Sequence, residues 1–271
     1  MKSPSVLLIA EIGENHLGNP EMAHRMIDEA ALAGADVVKF QSYRGEDVLP
    51  HDPEREWFSR VELSDELHRE LKKHAEEKGV EFLSSPFTVE RARFLCEKLG
   101  MKKLKIASSE MTNEPMLRYL NGRTEAVYLS TGMATIEEIR RSAGLLDRVP
   151  SVTLLHCVTQ YPVEDAEANL RAITTLAAEF PGHAVGYSDH TEGIDAAVAA
   201  ATLGAAVIEK HFTLAKTLPG TDHILSATPE EFAEMALRVR RVERLLGSGE
   251  KGPTPGEERI REAVRSRWQK D

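Results

Sequence analysis

The sequence predicts an α/β protein of the (β/α)8 TIM-barrel class, and three observations carry that expectation. Eight strand-like apolar runs alternate with helical patterns through most of the 271 residues, and eight is the number of parallel strands that closes such a barrel. A helix end, a glycine and a strand recur as one type of turn, in AGADVV and again in LGAAVI. A doubly wound open sheet, the alternative, usually shows a glycine-rich phosphate loop after an early strand. Neither GxGxxG nor GxxxxGK(S/T) occurs here.

The strands follow in order as VLLIAEI (6–12), DVVKFQS (36–42), VEFLSS (80–85), KLKIAS (103–108), AVYLST (126–131), VTLLHCV (152–158), AVGYSD (184–189) and AVIEKHF (206–212). Helical spacing lies between them. EMAHRMIDEAALAG places Met22, Met26 and Ala30 beside Ala23, Ile27 and Ala31. SDELHRELKKHAEEKG opens on a Ser/Asp cap and closes on glycine. PEEFAEMALRVRRVERLLGSG repeats Phe232, Met235, Ala236, Val239, Val242 and Leu246. Residues 1–250 therefore read as a barrel domain, and 251–271 as a linker and helix outside it, with Arg259, Arg261, Glu262 and Arg265 on a solvated face.

Hydrophobic residues make up 41% and charged residues 29%, at a formal net charge of -10. That balance argues against nucleic-acid binding through general electrostatics. No apolar run reaches the roughly 18 residues that span a bilayer. The N-terminal apolar stretch is too short for a signal peptide. Cys96 and Cys157 are the two cysteines, so neither a disulfide framework nor a CxxC zinc motif arises. A cytoplasmic enzyme without a membrane partner is the expectation.

Barrel enzymes work at the carboxyl ends of their strands. Glu11 ends the first strand here. Lys39 and Gln41 share one face of the second by the period of two. Ser84 and Ser85 end the third, and Ser130 the fifth. Lys105 and Ser108 do not share a face, so one of them sits beyond regular strand. Two lysines with several hydroxyls suit a phosphate and a carboxylate. The plainer alternative is that Lys39 and Lys105 snorkel to solvent or pair with Glu11 and Glu110. His190 and His211 end strands seven and eight, where two imidazoles can converge on a divalent ion such as Mn²⁺, Fe²⁺, Co²⁺ or Zn²⁺. Two structural histidines are the plainer alternative. Glu209 shares the face of His211 and is expected to back it. His156 and Cys157 carry no motif of their own.

IAEIGENHLG, AGADVVKFQ, KIASSEMTN, LSTGMAT, LLHCVTQYP, VGYSDHTEG, IEKHFTL and PGTDH occur in this order. On these motifs the chain resembles the sialic acid synthase family: N-acetylneuraminate, legionaminate and pseudaminate synthases and their spore-coat polysaccharide relatives. The resemblance implies a metal-dependent condensation of phosphoenolpyruvate with a sugar aldehyde, giving a 3-deoxy-2-keto acid and inorganic phosphate. It implies Mn²⁺ on His190 and His211, with Mg²⁺, Co²⁺, Fe²⁺ or Zn²⁺ as alternatives. It puts phosphoenolpyruvate on Lys39, Lys105, Ser108, Ser130 and Ser188, helped by Ser85 or Thr88. Glu11 would manage a proton or the attacking water. Glu110, Gln41, Tyr161 and Asp222 would face the acceptor, and a homodimer is expected.

Several features depart from that pattern. Family members usually continue into a small antifreeze-like domain, and this chain stops at Asp271, near where it would begin. Glu14 stands where a small apolar residue is common, Ser109-Glu110 replaces a frequent Gly-Asp or Gly-Glu pair, and the segment from Asp47 to Ser64 is short. The expectation is kept chemistry with an acceptor other than N-acetylmannosamine. The alternatives are a synthase acting on a phosphorylated aldose, a non-catalytic sugar-acid-binding barrel, and a metal-dependent aldolase.

Overall fold

Strand alternation sorts the apolar side chains into two cores. On one face, Leu8, Ala10, Ile12, Val38 and Phe40 pack outward against helices. On the other, Ile9, Val37, Leu83, Tyr128, Leu155 and Val207 fill the barrel interior. This is the two-sided burial that parallel strands require. The computed structural model describes residues 5–268; the outermost residues of the two predicted units, 1–4 and 269–271, lie outside it.

The strands are β1 (Leu7–Gly13), β2 (Val37–Ser42), β3 (Glu81–Pro86), β4 (Lys103–Ile106), β5 (Ala126–Ser130), β6 (Ser151–Cys157), β7 (Ala184–Asp189) and β8 (Val207–His211). All pair in parallel, in the order β3-β2-β1-β8-β7-β6-β5-β4. The result is a nearly closed (β/α)8 barrel. Among the described residues β3 and β4 share no ladder. An ion pair of 2.8 Å between Lys103 of β4 and Glu81 of β3 spans that seam.

The helices are α1 (Pro20–Leu32), α2 (Arg55–Val61), α3 (Asp65–Glu77), α4 (Val89–Arg93), α5 (Glu114–Leu120), α6 (Ile136–Gly144), α7 (Ala172–Glu179), α8 (Asp195–Thr202), α9 (Pro229–Leu246) and α10 (Pro255–Ser266). Their starts follow from cap chemistry. Asn19 accepts from the Met22 amide ahead of Pro20, and Ser64 accepts from Leu67. Thr228 and Glu231 form a reciprocal capping box at α9. Helix α10 has no buried residue, so its charges are solvated as expected. No helix among the described residues is long and apolar enough to cross a membrane.

Candidate active site

The inward residues of the last strand layer form one ring at the carboxyl ends. Register sets Glu11 beside both Lys39 and His211, Gln41 beside Ser85, and Ser188 beside Glu209. Strand β1 changes register between Glu11 and Gly13. Gly13 has φ +53°, and a Cβ there would lie 3.1 Å from Glu11 Oε1. The turn that aims Glu11 therefore favours glycine. Above the ring lies a cavity of about 780 Å³.

Four charges occupy the cavity floor, each side chain 4% exposed or less. Lys39 Nζ is 2.6 Å from Glu11 Oε2 and 3.7 Å from Glu209 Oε2, while Lys105 Nζ is 3.1 Å from Glu209 Oε1. Burying such groups costs several kcal/mol each, roughly, unless they are paired. Glu209 thus sits between the two lysines and also accepts from Ser188 Oγ at 2.8 Å. This corrects the expectation that it backs His211. Strand parity gave its face, but its partners are Ser188 on the neighbouring strand and the two lysines of β2 and β4. Neither lysine snorkels out, and Lys105 pairs with Glu209 rather than with Glu110.

Burial pushes the Glu11 carboxyl up, and Glu209 adds to this against the pull of Lys39. Burial also opposes charge on Glu209, but Lys105 and Lys39 outweigh it and hold that carboxyl at about 2. Burial lowers the Lys105 ammonium against the pull of Glu209. Glu11 is therefore the ring member poised to gain or lose a proton.

Hydroxyls surround the lysines. Ser85 Oγ accepts from Lys39 Nζ at 3.2 Å. Ser108 lies beyond β4 in the tight turn Ser108–Glu110, resolving the parity problem seen in the sequence. Its Oγ accepts from the Gly132 amide at 3.1 Å. Ser130 Oγ is buried with no hydrogen-bond partner among the described residues, a donor free for a ligand. Ser84 faces away from the cavity lining, and Thr88 is engaged as the cap of α4.

His190 and His211 converge with ring centroids 5.3 Å apart. His190 Nδ1 lies 2.8 Å from the Val158 carbonyl, which can only accept, so that nitrogen carries a proton and Nε2 is the one left for a metal. Burial opposes charge on this ring, but Cys157 and the Val158 carbonyl outweigh it and raise its pKa. His211 Nδ1 has no aligned partner and lies 3.4 Å from Asp222 Oδ2. Burial, His190 and Lys39 hold His211 well below the usual imidazole range, hence neutral. Two imidazoles side by side, His211 already neutral and His190 once its Nε2 proton is displaced, fit a divalent ion whose other positions are filled by water or substrate. Among the described residues no group of three His, Cys, Asp or Glu side chains stands at metal-ligand spacing. Burial pushes the Cys157 thiol up, but His190, 3.8 Å away, outweighs it and lowers it.

Tyr161 lies tilted over His190, 4.2 Å between centroids, and Gln41 Nε2 reaches Glu11 Oε1 at 3.5 Å. Asp222 and Tyr161 line the same cavity. Glu110 does not line it; its carboxylate accepts from Asn113 Nδ2 at 2.7 Å. His156 donates to or accepts from nothing catalytic, its Nε2 being held by the Ala168 carbonyl at 2.9 Å. His16 is buried and accepts from the Gly18 amide. The sequence reading missed Trp57 and Phe58 of α2 and Phe87 after β3, which line the mouth with Glu54. The signal was an aromatic pair inside an otherwise polar segment, Glu-Trp-Phe-Ser.

A barrel whose carboxyl ends carry two buried lysines, convergent histidines and a poised carboxyl has the site of an enzyme that binds an anion and moves a proton. The NeuB family profile matches residues 26–251. An N,N'-diacetyllegionaminic acid synthase from Campylobacter jejuni is 38% identical over 278 residues, covering 96% of this chain and 83% of its own length. Human N-acetylneuraminate-9-phosphate synthase is 36% identical, covering 92% of this chain and 74% of its own length. The solved N-acetylneuraminic acid synthetase of Leptospira borgpetersenii, in complex with citrate, has a TM-score of 0.92 at 36% identity, covering 99% of this chain and 94% of that one. The chain belongs to the NeuB family, and with these synthases it is a transferase that forms carbon–carbon bonds.

Proposed function

We propose that the protein condenses phosphoenolpyruvate with a sugar aldehyde to give a 3-deoxy-2-keto acid of the nonulosonic type. One observation carries the reading. Two buried lysines and an unpartnered serine hydroxyl form the floor of the same cavity that the two histidines enter.

Phosphate and carboxylate would take Lys39 and Lys105, displacing their contacts to Glu11 and Glu209. Ser85, Ser108, Ser130 and Ser188 supply directional donors around them. C3 of the enol forms a bond to the aldehyde carbon, and water adds at C2. The C2–O bond to phosphate then breaks, releasing inorganic phosphate and leaving the keto group. Glu11 is placed to hold the proton of that water, since of the two floor carboxyls it is the one shifted upward, while Glu209 is held down. Tyr161, Gln41 and Asp222 orient the acceptor. His190 and His211 would hold the divalent ion, Mn²⁺ first, which when bound supplies Lewis-acid polarisation of the aldehyde oxygen.

A homodimer belongs to the same proposal, supported by Leu237, Leu245 and Leu246, which α9 leaves exposed; a monomeric mass on sedimentation would remove it.

The test is phosphate release from phosphoenolpyruvate with Mn²⁺, with and without N-acetylmannosamine or another aldehyde sugar, beside an EDTA control. Release that requires both sugar and metal supports the assignment. Failure to bind phosphoenolpyruvate at all overturns it.

A further inference from the structure

The relatives divide on one chemical point. One makes a product named as a 9-phosphate, and the other is named for an unphosphorylated acid. The cavity of this chain is electrically two-ended, and that polarity bears on the choice.

Both lysines of the cavity lie in the floor ring, already matched by Glu11 and Glu209. The mouth carries Glu14, Glu54 and Asp222 and no lysine or arginine among its described lining residues. Neither arginine of α2 lines it. Arg55 donates to the Glu46 carbonyl, and the Arg60 guanidinium covers the Trp57 ring at 4.5 Å. A phosphate arriving at this end meets carboxylates where it needs Lys, Arg or backbone amides.

Glu14 is fixed in this position. The Trp57 indole N–H donates to its Oε2, across 43 positions of sequence. Trp57 in turn packs against Gly220, where an added Cβ would lie 3.5 Å from the ring. Burial pushes the Glu14 carboxyl up to about 7, and Asp222, Glu54 and Glu11 add to the shift, the mark of a crowded acidic rim. Above pH 7 this group is a carboxylate, and one held by a single N–H still accepts further hydrogen bonds from sugar hydroxyls or amide N–H groups; the sugars below are therefore compared at pH 8. Its aromatic neighbours offer a face for an apolar sugar surface.

We propose that the mouth of this cavity selects an unphosphorylated, hydroxyl-rich aldehyde and rejects a phosphorylated one, with Glu14, locked by Trp57, as the specificity-determining residue. The proposal rests on the condensation proposed above.

Matched pairs test it: N-acetylmannosamine and its 6-phosphate, and arabinose and its 5-phosphate. Each is assayed for phosphate release and titrated calorimetrically into the protein–phosphoenolpyruvate complex. The unphosphorylated member of a pair is expected to win by roughly 30-fold or more, the scale of an unfavourable charge contact. Glu14→Lys should shrink that ratio by about 10-fold, with Glu14→Gln between. Where no pair turns over, the calorimetric ratio decides. Equal or tighter binding of the phosphorylated member, binding of neither, or a ratio unmoved in both Glu14 variants overturns the proposal. A wild-type protein that fails to bind phosphoenolpyruvate overturns the condensation and this selectivity together. One that binds it but prefers the phosphorylated sugars overturns the selectivity alone.

Discussion

Lys210 Nζ lies 3.0 Å from Asp189 Oδ2, and neither side chain is exposed at all. The pair sits on the outward face of β7 and β8, at paired register positions, and the next residue on each strand is a cavity histidine. Asp189 Oδ1 also accepts from Tyr187 and from the amide and hydroxyl of Thr191. This network ties the two strand ends together directly behind His190 and His211. Lys210→Met would leave Asp189 buried with an unmatched charge, at a cost of about 3–5 kcal/mol. Thermal unfolding should show a Tm lower by about 10 °C. Adding Asp189→Asn should recover part of the loss. A Tm unchanged in the single variant would show that the pair does not hold the fold.

His211→Ala should reduce phosphate release to the level seen with EDTA while the far-ultraviolet circular dichroism stays that of the parent. Mn²⁺ binding, followed by electron paramagnetic resonance, should weaken in parallel. Full activity in this variant would refute a metal role for His211.

Lys105→Ala should raise the KM for phosphoenolpyruvate by about 10- to 100-fold, the scale of one lost charge-assisted contact. The same change frees Glu209, which Lys105 helps hold at about 2, so the loss is of a matched charge and not only of a donor. An unchanged KM removes Lys105 from the binding floor.

Stability should fall in mild acid. Burial lowers His16 and His68 from the usual 6.5 to about 4. The unfolded chain therefore takes up protons first, and the contribution of each neutral ring is complete above pH 6.5 and is lost as pH falls from there toward 4. The scale is on the order of 3 kcal/mol per histidine. Urea midpoints measured from pH 7 to pH 4.5 should drop, and the drop should be smaller in His68→Gln. Equal slopes in the two proteins would dissociate His68 from the effect.

The strands were legible because each is a short, nearly continuous apolar run, the pattern of strands buried on both faces, and their observed bounds differ from the sequence reading by at most two residues. The ring was legible for a related reason: once the class is a barrel, chemistry belongs at one end of the strands. Parity required that either Lys105 or Ser108 lie beyond the strand, and the structure shows that it is Ser108. Parity says nothing of what stands opposite across a barrel, and so Glu209 was given the wrong neighbour. Glu110 was read as part of the acceptor site, but the tight turn after β4 brings it to Asn113 instead. The contact of Glu14 with Trp57 joins a βα loop to a short helix in the next loop, a pairing that no local pattern encodes.

The unladdered seam between β3 and β4 gives the substrate a second role. Ser85 stands on one side of it, and Lys105 and Ser108 on the other. An anion held by these residues would bridge the gap that backbone hydrogen bonds leave open, much as a clasp closes a bracelet. Amide protons of β3 and β4 should then be the first of the barrel to exchange with deuterium, and the ones most slowed when phosphoenolpyruvate binds. By this account the barrel is completed by what it binds, and the site doubles as the joint where the molecule breathes.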